Sequence, residues 1–194
     1  MTCKNIHTFG NVACLQTITG QQLLDALEWG ARFVNAGKEN GGFLHVSGIT
    51  YEIDTSIPST VQKDAKGVWI GSPTGEYRVK NVKILQDGEW VDLDLNAKYN
   101  LAGYNSTLRD LGDGFAMFDG AVNVLDYVME DYMVLANYIK SFPVDETTGL
   151  PTIGADSIYS DIYGAGRIDI VTESPNANDV VVYYTNDVHT YIDG

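Results

Sequence analysis

Asp187-Val188-His189 is the sharpest chemistry-bearing spacing in this chain. An apolar, strongly β-forming run, VVVYY at 180–184, leads into Thr185-Asn186-Asp187-Val188-His189. A carboxylate and an imidazole two residues apart, just past a strand, can reach one metal ion from the same loop. That donor pair suits Zn, Mn or Fe. Two ligands do not complete a site, and the plainer alternative is a pair of exposed loop residues. His7 and His45 share no ligand-like spacing, and Asp92 and Asp94 alternate on a strand and are expected to face solvent. Cys3 and Cys14 are too few for a disulfide framework, and a free buried thiol is the simpler expectation.

Composition bounds the class. The chain has 194 residues, 44% hydrophobic and 20% charged, which is globular and large enough for one domain or one domain and a further piece. Twenty-six acidic residues against 12 basic ones give a formal net charge of −14. Such a surface argues against nucleic-acid polymers, whose phosphates demand clustered Lys and Arg. It is equally unsuited to anionic membranes. No apolar run is long enough to span a membrane, and residues 1–20 show no signal-peptide pattern.

The elements follow from periodicity and punctuation. Residues 12–19 (VACLQTIT) read as a strand. Thr19 is positioned to cap a helix running from Gly20 to about Val34, with Leu23, Leu24, Leu27, Ala31 and Val34 on its apolar face. Asp25, Glu28 and Arg32 are expected on the exposed face, paired by charge. Residues 43–53 suggest a strand pair or one long strand bent at Gly48, and 54–75 a long surface loop. Tyr77–Leu85 and Glu89–Leu93 flank Asp87-Gly88, a hairpin turn signal. A strand at Tyr99–Tyr104, a Gly/Asp-rich loop at 109–120, a helix near Glu130–Ser141 and a strand at Arg167–Val171 complete the series. Strands and helices mix without regular βαβ alternation, so the expected class is α+β, a mixed β-sheet with packed helices. The stretch 172–179 (TESPNAND) has linker composition.

Four ordered strings carry a family resemblance across about residues 6–171. They are Phe9-Gly10-Asn11; Thr19-Gly20-Gln21-Gln22-Leu23-Leu24-Asp25-Ala26-Leu27-Glu28-Trp29-Gly30; Gly41-Gly42-Phe43-Leu44-His45-Val46-Ser47-Gly48; and Gly112-Asp113-Gly114-Phe115. Together they resemble the C-terminal, substrate-recognition domain of the 5′-nucleotidase family. The resemblance implies that Phe9 and Phe115 hold a base between two aromatic faces. It places Asn11 and, by a weaker match, Asn105 beside the ligand, and it gives Asp119 the ribose hydroxyls. Glycines 112 and 114 would let the loop bend sharply and approach closely. The string 180–194 resembles the opening of a calcineurin-like metallophosphoesterase domain, in which Asp187 and His189 would bind the first ion of a two-metal site. The domain expectation is therefore a recognition domain at 1–171, a linker at 172–179 and the first strand and metal motif of the next domain at 180–194.

The departures limit what the chain does alone. Thr8 stands where the family has Pro, and Leu111 replaces the first Gly of G-G-D-G. The Arg-bearing N-G-G-x-I-R motif is not found, so Met1 is expected to fall inside the domain and the pocket to lack one wall. The leading expectation is a nucleotide-recognition domain from a secreted or cell-surface, metal-dependent phosphoester hydrolase, inactive as this chain. Its two divalent ions, Zn, Mn or similar, would belong to the parent enzyme. A non-catalytic binding module derived from the same domain is the alternative; a truncated reading frame without function is a third.

Overall fold

The computed structural model describes residues 3–161, 164 and 166–172. The linker at 172–179, apart from Thr172, and the 180–194 motif with Asp187 and His189 lie outside the described residues. Strand β1 (Val12–Thr19) buries every second side chain, so Cys14, Gln16 and Ile18 point inward. It is the centre of a three-stranded antiparallel sheet, between β7 (Lys98–Tyr104) and β8 (Val122–Glu130). A second sheet runs in the order β6 (Glu89–Asp92), β5 (Val79–Gln86), β2 (Ile49–Asp54), β9 (Ile168–Val171). There β9 lies parallel to β2 and the other pairs are antiparallel, so this sheet is mixed, as expected. A small hairpin, β3 (Gln62–Lys63) with β4 (Trp69–Gly71), interrupts the 54–75 loop.

Helix α2 (Gly20–Ala31) follows directly on β1; a one-turn helix, α1 (Cys3–Ile6), precedes that strand. Thr19 caps α2 as expected: its hydroxyl accepts from Gln22 N–H at 3.1 Å while Gln22 Oε1 accepts from Thr19 N–H at 2.8 Å. Gly20 has no space for a Cβ, which would sit 2.1 Å from the Asp94 carbonyl oxygen. The helix ends at Ala31, short of Val34. Arg32 and Val34 instead donate three residues back, to Trp29 and Ala31, and Asn35 turns left-handed.

The charge pattern of α2 misleads. Asp25 and Glu28 are buried, not exposed, and neither makes an ion pair among the described residues. Asp25 accepts from Tyr77 Oη at 2.7 Å and Ser72 Oγ at 3.0 Å, and Glu28 Oε2 accepts from Val79 N–H at 2.9 Å. Arg32 is half-buried, its guanidinium 4.0 Å from the Trp29 ring centroid and bonded to the Trp29 carbonyl. The helix is enclosed on nearly all sides because β5 and the 72–78 segment cover the face that its polar residues occupy. Cys14 is a free buried thiol, which its burial holds above the usual value.

Three further segments differ from expectation. Only 49–54 of the 43–53 run pairs as a strand, because Gly48 takes φ +71° and breaks the extended backbone. The 109–120 loop contains two 3₁₀ turns, Gly112–Gly114 and Ala116–Phe118. Strand β8 is a strand where none is expected, in a run rich in β-forming Val and Tyr, and most of its residues are exposed. Helix α4 (Asp131–Lys140) forms where expected, after the one-turn α3 (Asn105–Leu108). Its Val134, Tyr138 and Ile139 face nevertheless stays exposed.

Candidate functional site

A cleft of about 1230 Å³ opens between the two sheets above the middle of α2. Its floor is apolar, from Ile18, Leu23 and Leu27, and one rim is the 41–49 segment. The opposite wall is β7, with α3 and Asp113 closing one end. Phe9 and Phe115, which lie 106 positions apart in the chain, both line it.

The two aromatics differ sharply. Phe9 is 78% exposed, on a loop between α1 and β1. That loop is tied at both ends through one residue, Asp131. Its amide donates to the Asn11 carbonyl at 3.0 Å, and its buried carboxylate lies 3.5 Å from His7 Nδ1. The Tyr104 hydroxyl stands 3.3 Å from the same His7 nitrogen. Partial burial, then the Asp131 charge, holds that phenol above its usual value. Phe115 has no exposed surface and packs nearly parallel to Phe118, with ring centroids 6.2 Å apart. A Cβ built on Gly42 would meet Phe115 Cε2 at 3.4 Å, so the backbone at Gly42 packs close to the ring.

The loop carrying Phe115 is locked from below. Trp29 Nε1–H donates to the Asp113 carbonyl at 3.0 Å, and Gln22 Nε2 donates to the Met117 carbonyl at 2.8 Å. Leu111 and Asp113 hold left-handed backbones at φ 56° and 51°, conformations that cost an L-residue about 1–2 kcal/mol each. The glycines between and after them are required. A Cβ at Gly112 would lie 2.6 Å from the Ser106 carbonyl oxygen, and one at Gly114 equally close to that of Gly67.

The remaining expected residues divide. Asn11 lines the cleft. Asn105 does not: Oδ1 accepts from Val12 N–H at 2.8 Å and Nδ2 donates to Asp110 Oδ2 at 2.9 Å, so its amide joins β1 to α3. Asp119 and Asp113 are both exposed; Asp119 is outside the lining, whereas Asp113, which had no ligand role on sequence grounds, is part of it. His45 lines the cleft edge-on to Phe43. Among the described residues no three His, Cys, Asp or Glu side chains group to hold a metal ion. These residues do not fit a two-metal centre.

Residues 4–120 match the family model described as 5′-nucleotidase, C-terminal domain. The chain belongs to that family. The trifunctional nucleotide phosphoesterase protein YfkN of Bacillus subtilis (strain 168) is 28% identical over 137 residues, which is 70% of this chain and 8% of that protein. The 5′-nucleotidase precursor from Thermus thermophilus superposes with a TM-score of 0.60 at 25% identity, covering 90% of this chain and 28% of that one. The NAD nucleotidase of Haemophilus influenzae shares the fold, with a TM-score of 0.58 at 19% identity over 89% of this chain and 27% of that one. This 5′-nucleotidase C-terminal domain therefore spans under a third of the length of the relatives it matches. Within the family fold, the α+β arrangement of a mixed sheet with packed helices is the one expected. No helix among the described residues is long and apolar enough to cross a membrane.

Proposed function

We propose that this chain is the nucleotide-recognition domain of a metal-dependent, 5′-nucleotidase-like phosphoester hydrolase, and that it does not turn over phosphate esters by itself. The observation that supports this most directly is the convergence of Phe9 and Phe115, with Asn11, on one cleft of the family domain. Phe9 offers an exposed face on which a base stacks, and stacking on an aromatic contributes about 1–3 kcal/mol per base. Phe115 backs the same wall and, having no exposed surface, meets a base only after its surroundings shift. Resemblance alone speaks for Asp119 at the ribose, and Asn105 acts by holding β1 against α3. In this reading 172–179 is a linker and 180–194 opens a metallophosphoesterase domain, where Asp187 and His189 would be metal ligands. Two divalent ions held there would supply the activated water. The parent would work outside the cell or at its surface, as the family resemblance implies.

Titration calorimetry with adenosine and AMP tests the reading on wild-type protein and Phe9→Ala. Saturable binding is expected, weakened about tenfold or more by the substitution. No heat with either ligand would sink it. Metal-dependent release of phosphate from AMP by the purified chain would sink the claim of inactivity.

The departures at Thr8 and Leu111 favour a second reading, a binding module that serves no hydrolase. It keeps nucleoside binding but requires that the parent chain carry no phosphatase motif.

A further inference from the structure

We propose that His7 and Asp131 are positioning residues for base binding: together they hold the loop that presents Phe9 to the cleft. The proposal rests on the reading of the cleft as a nucleoside site. Phe9 is 78% exposed, so where its ring stands depends on the backbone on either side. Gly10 takes φ +70°, and a Cβ there would meet nothing within 4 Å among the described residues, so packing does not hold the turn just after Phe9. What fixes it lies two positions away in each direction. His7 Nδ1 is 3.5 Å from Asp131 Oδ2, and the Asn11 carbonyl accepts from Asp131 N–H at 3.0 Å. One residue at the junction of β8 and α4 therefore brackets Phe9 from both sides.

Both anchors are themselves fixed. The Asp131 side chain is 2% exposed, and its other oxygen accepts from Tyr132 N–H at 2.7 Å. A buried carboxylate needs such partners, and His7 supplies one. An imidazole carries a hydrogen on Nδ1 when protonated and in one of its neutral tautomers, so it can serve this acceptor in either state. His7 N–H donates to the Cys3 carbonyl at 3.1 Å, and its ring stands edge-on to Tyr104, which lines the cleft. His7 thereby ties the Phe9 loop to the cleft wall as well as to α4. A stacking face that is already ordered costs a ligand less than one ordered on binding. Removing the His7 ring frees one end of the bracket and lets Phe9 leave the place where a base meets it. Apparent affinity then falls with the fraction of molecules that keep Phe9 in place.

The test measures NMR relaxation at the Phe9 and Gly10 amides, and adenosine binding by calorimetry, in wild type, His7→Ala and His7→Asn. Binding is also measured with each combined with Phe9→Ala. Asn restores a donor near the place of the imidazole Nδ1. Amide order parameters of about 0.85 are expected in wild type and His7→Asn, falling below about 0.6 in His7→Ala. Adenosine binding is expected to weaken about tenfold in His7→Ala, as for loss of a hydrogen bond to a charged group, and to return to within about twofold of wild type in His7→Asn. In the Phe9→Ala background, His7→Ala is expected to cost adenosine nothing further, because His7 acts through Phe9. An equal loss in both backgrounds would overturn the assignment, since a purely structural role lowers both alike. So would order parameters or affinity like wild type in His7→Ala, or a His7→Asn variant as weak as His7→Ala. Wild type that binds no adenosine would instead overturn the reading of the cleft, and this assignment with it, whatever the relaxation data show.

Discussion

The indole N–H of Trp29 donates to the backbone carbonyl of Asp113 at 3.0 Å, joining α2 to the cleft loop across 84 positions. Trp29 has no exposed surface, so its indole N–H has no ready access to water if the bond is lost. Trp29→Phe keeps an aromatic ring but leaves that carbonyl without its donor. A loss of about 1–3 kcal/mol is expected from urea unfolding. Unchanged stability would show that the bond contributes nothing.

Phe9 and Phe115 line one cleft but should respond oppositely to truncation. Phe115→Ala removes a fully buried ring stacked on Phe118 and should destabilise the fold by about 3–5 kcal/mol. Phe9→Ala removes a ring 78% exposed and should change stability by about 0.5 kcal/mol or less. Urea midpoints with equal slopes would check both. A large loss from Phe9→Ala would place that ring in the structural core and undermine its assigned binding role.

Glu28 should make stability depend on pH. It is completely buried, and burial pushes its pKa up, against the smaller opposing effects of the Val79 and Arg78 amides and the Arg78 charge. The folded state therefore binds this proton more tightly than the unfolded one. Stability from this group is greatest below the unfolded glutamate value, about 4.3, and declines as pH rises toward the raised folded value. Glu28→Gln keeps an acceptor for Val79 N–H and has no proton to lose. Relative to wild type, the variant should gain stability between pH 4 and pH 7 in urea unfolding. A gap that stays constant, or that grows in favour of wild type, would contradict the assignment.

Local order is the legible part of this fold. Strand β1 shows in VACLQTIT as alternation, and the Thr19 cap follows from its place before a helical period. Asp87-Gly88 also turns as read, both residues left-handed between β5 and β6. Strand β8 is harder to place although Val122, Val124, Tyr127 and Val128 favour a strand, because the adjacent apolar residues Val124-Leu125 and Tyr127-Val128-Met129 break the alternation. Asp25, Glu28 and Arg32 mislead for a related reason. Their spacing is that of a solvated face, and nothing nearby in sequence reveals that Tyr77, Arg78 and Val79 close over it.

The candidate site divides in the same way. Motif strings point to Phe9, Asn11 and Phe115, all of which line the cleft. Asp113, the acid of the Gly112-Asp113-Gly114 string, also lines it, although the strings give it no ligand role.

By itself the sequence determined the family, the α+β class and most element positions, because those depend on residue types a few positions apart. Only the tertiary structure decided which acids are buried, which aromatic is exposed and which residues line the cleft. Those outcomes depend on long-range pairing: β1 with β7 and β8, and the bond from Trp29 to Asp113. The surroundings of each side chain are supplied by residues tens of positions away.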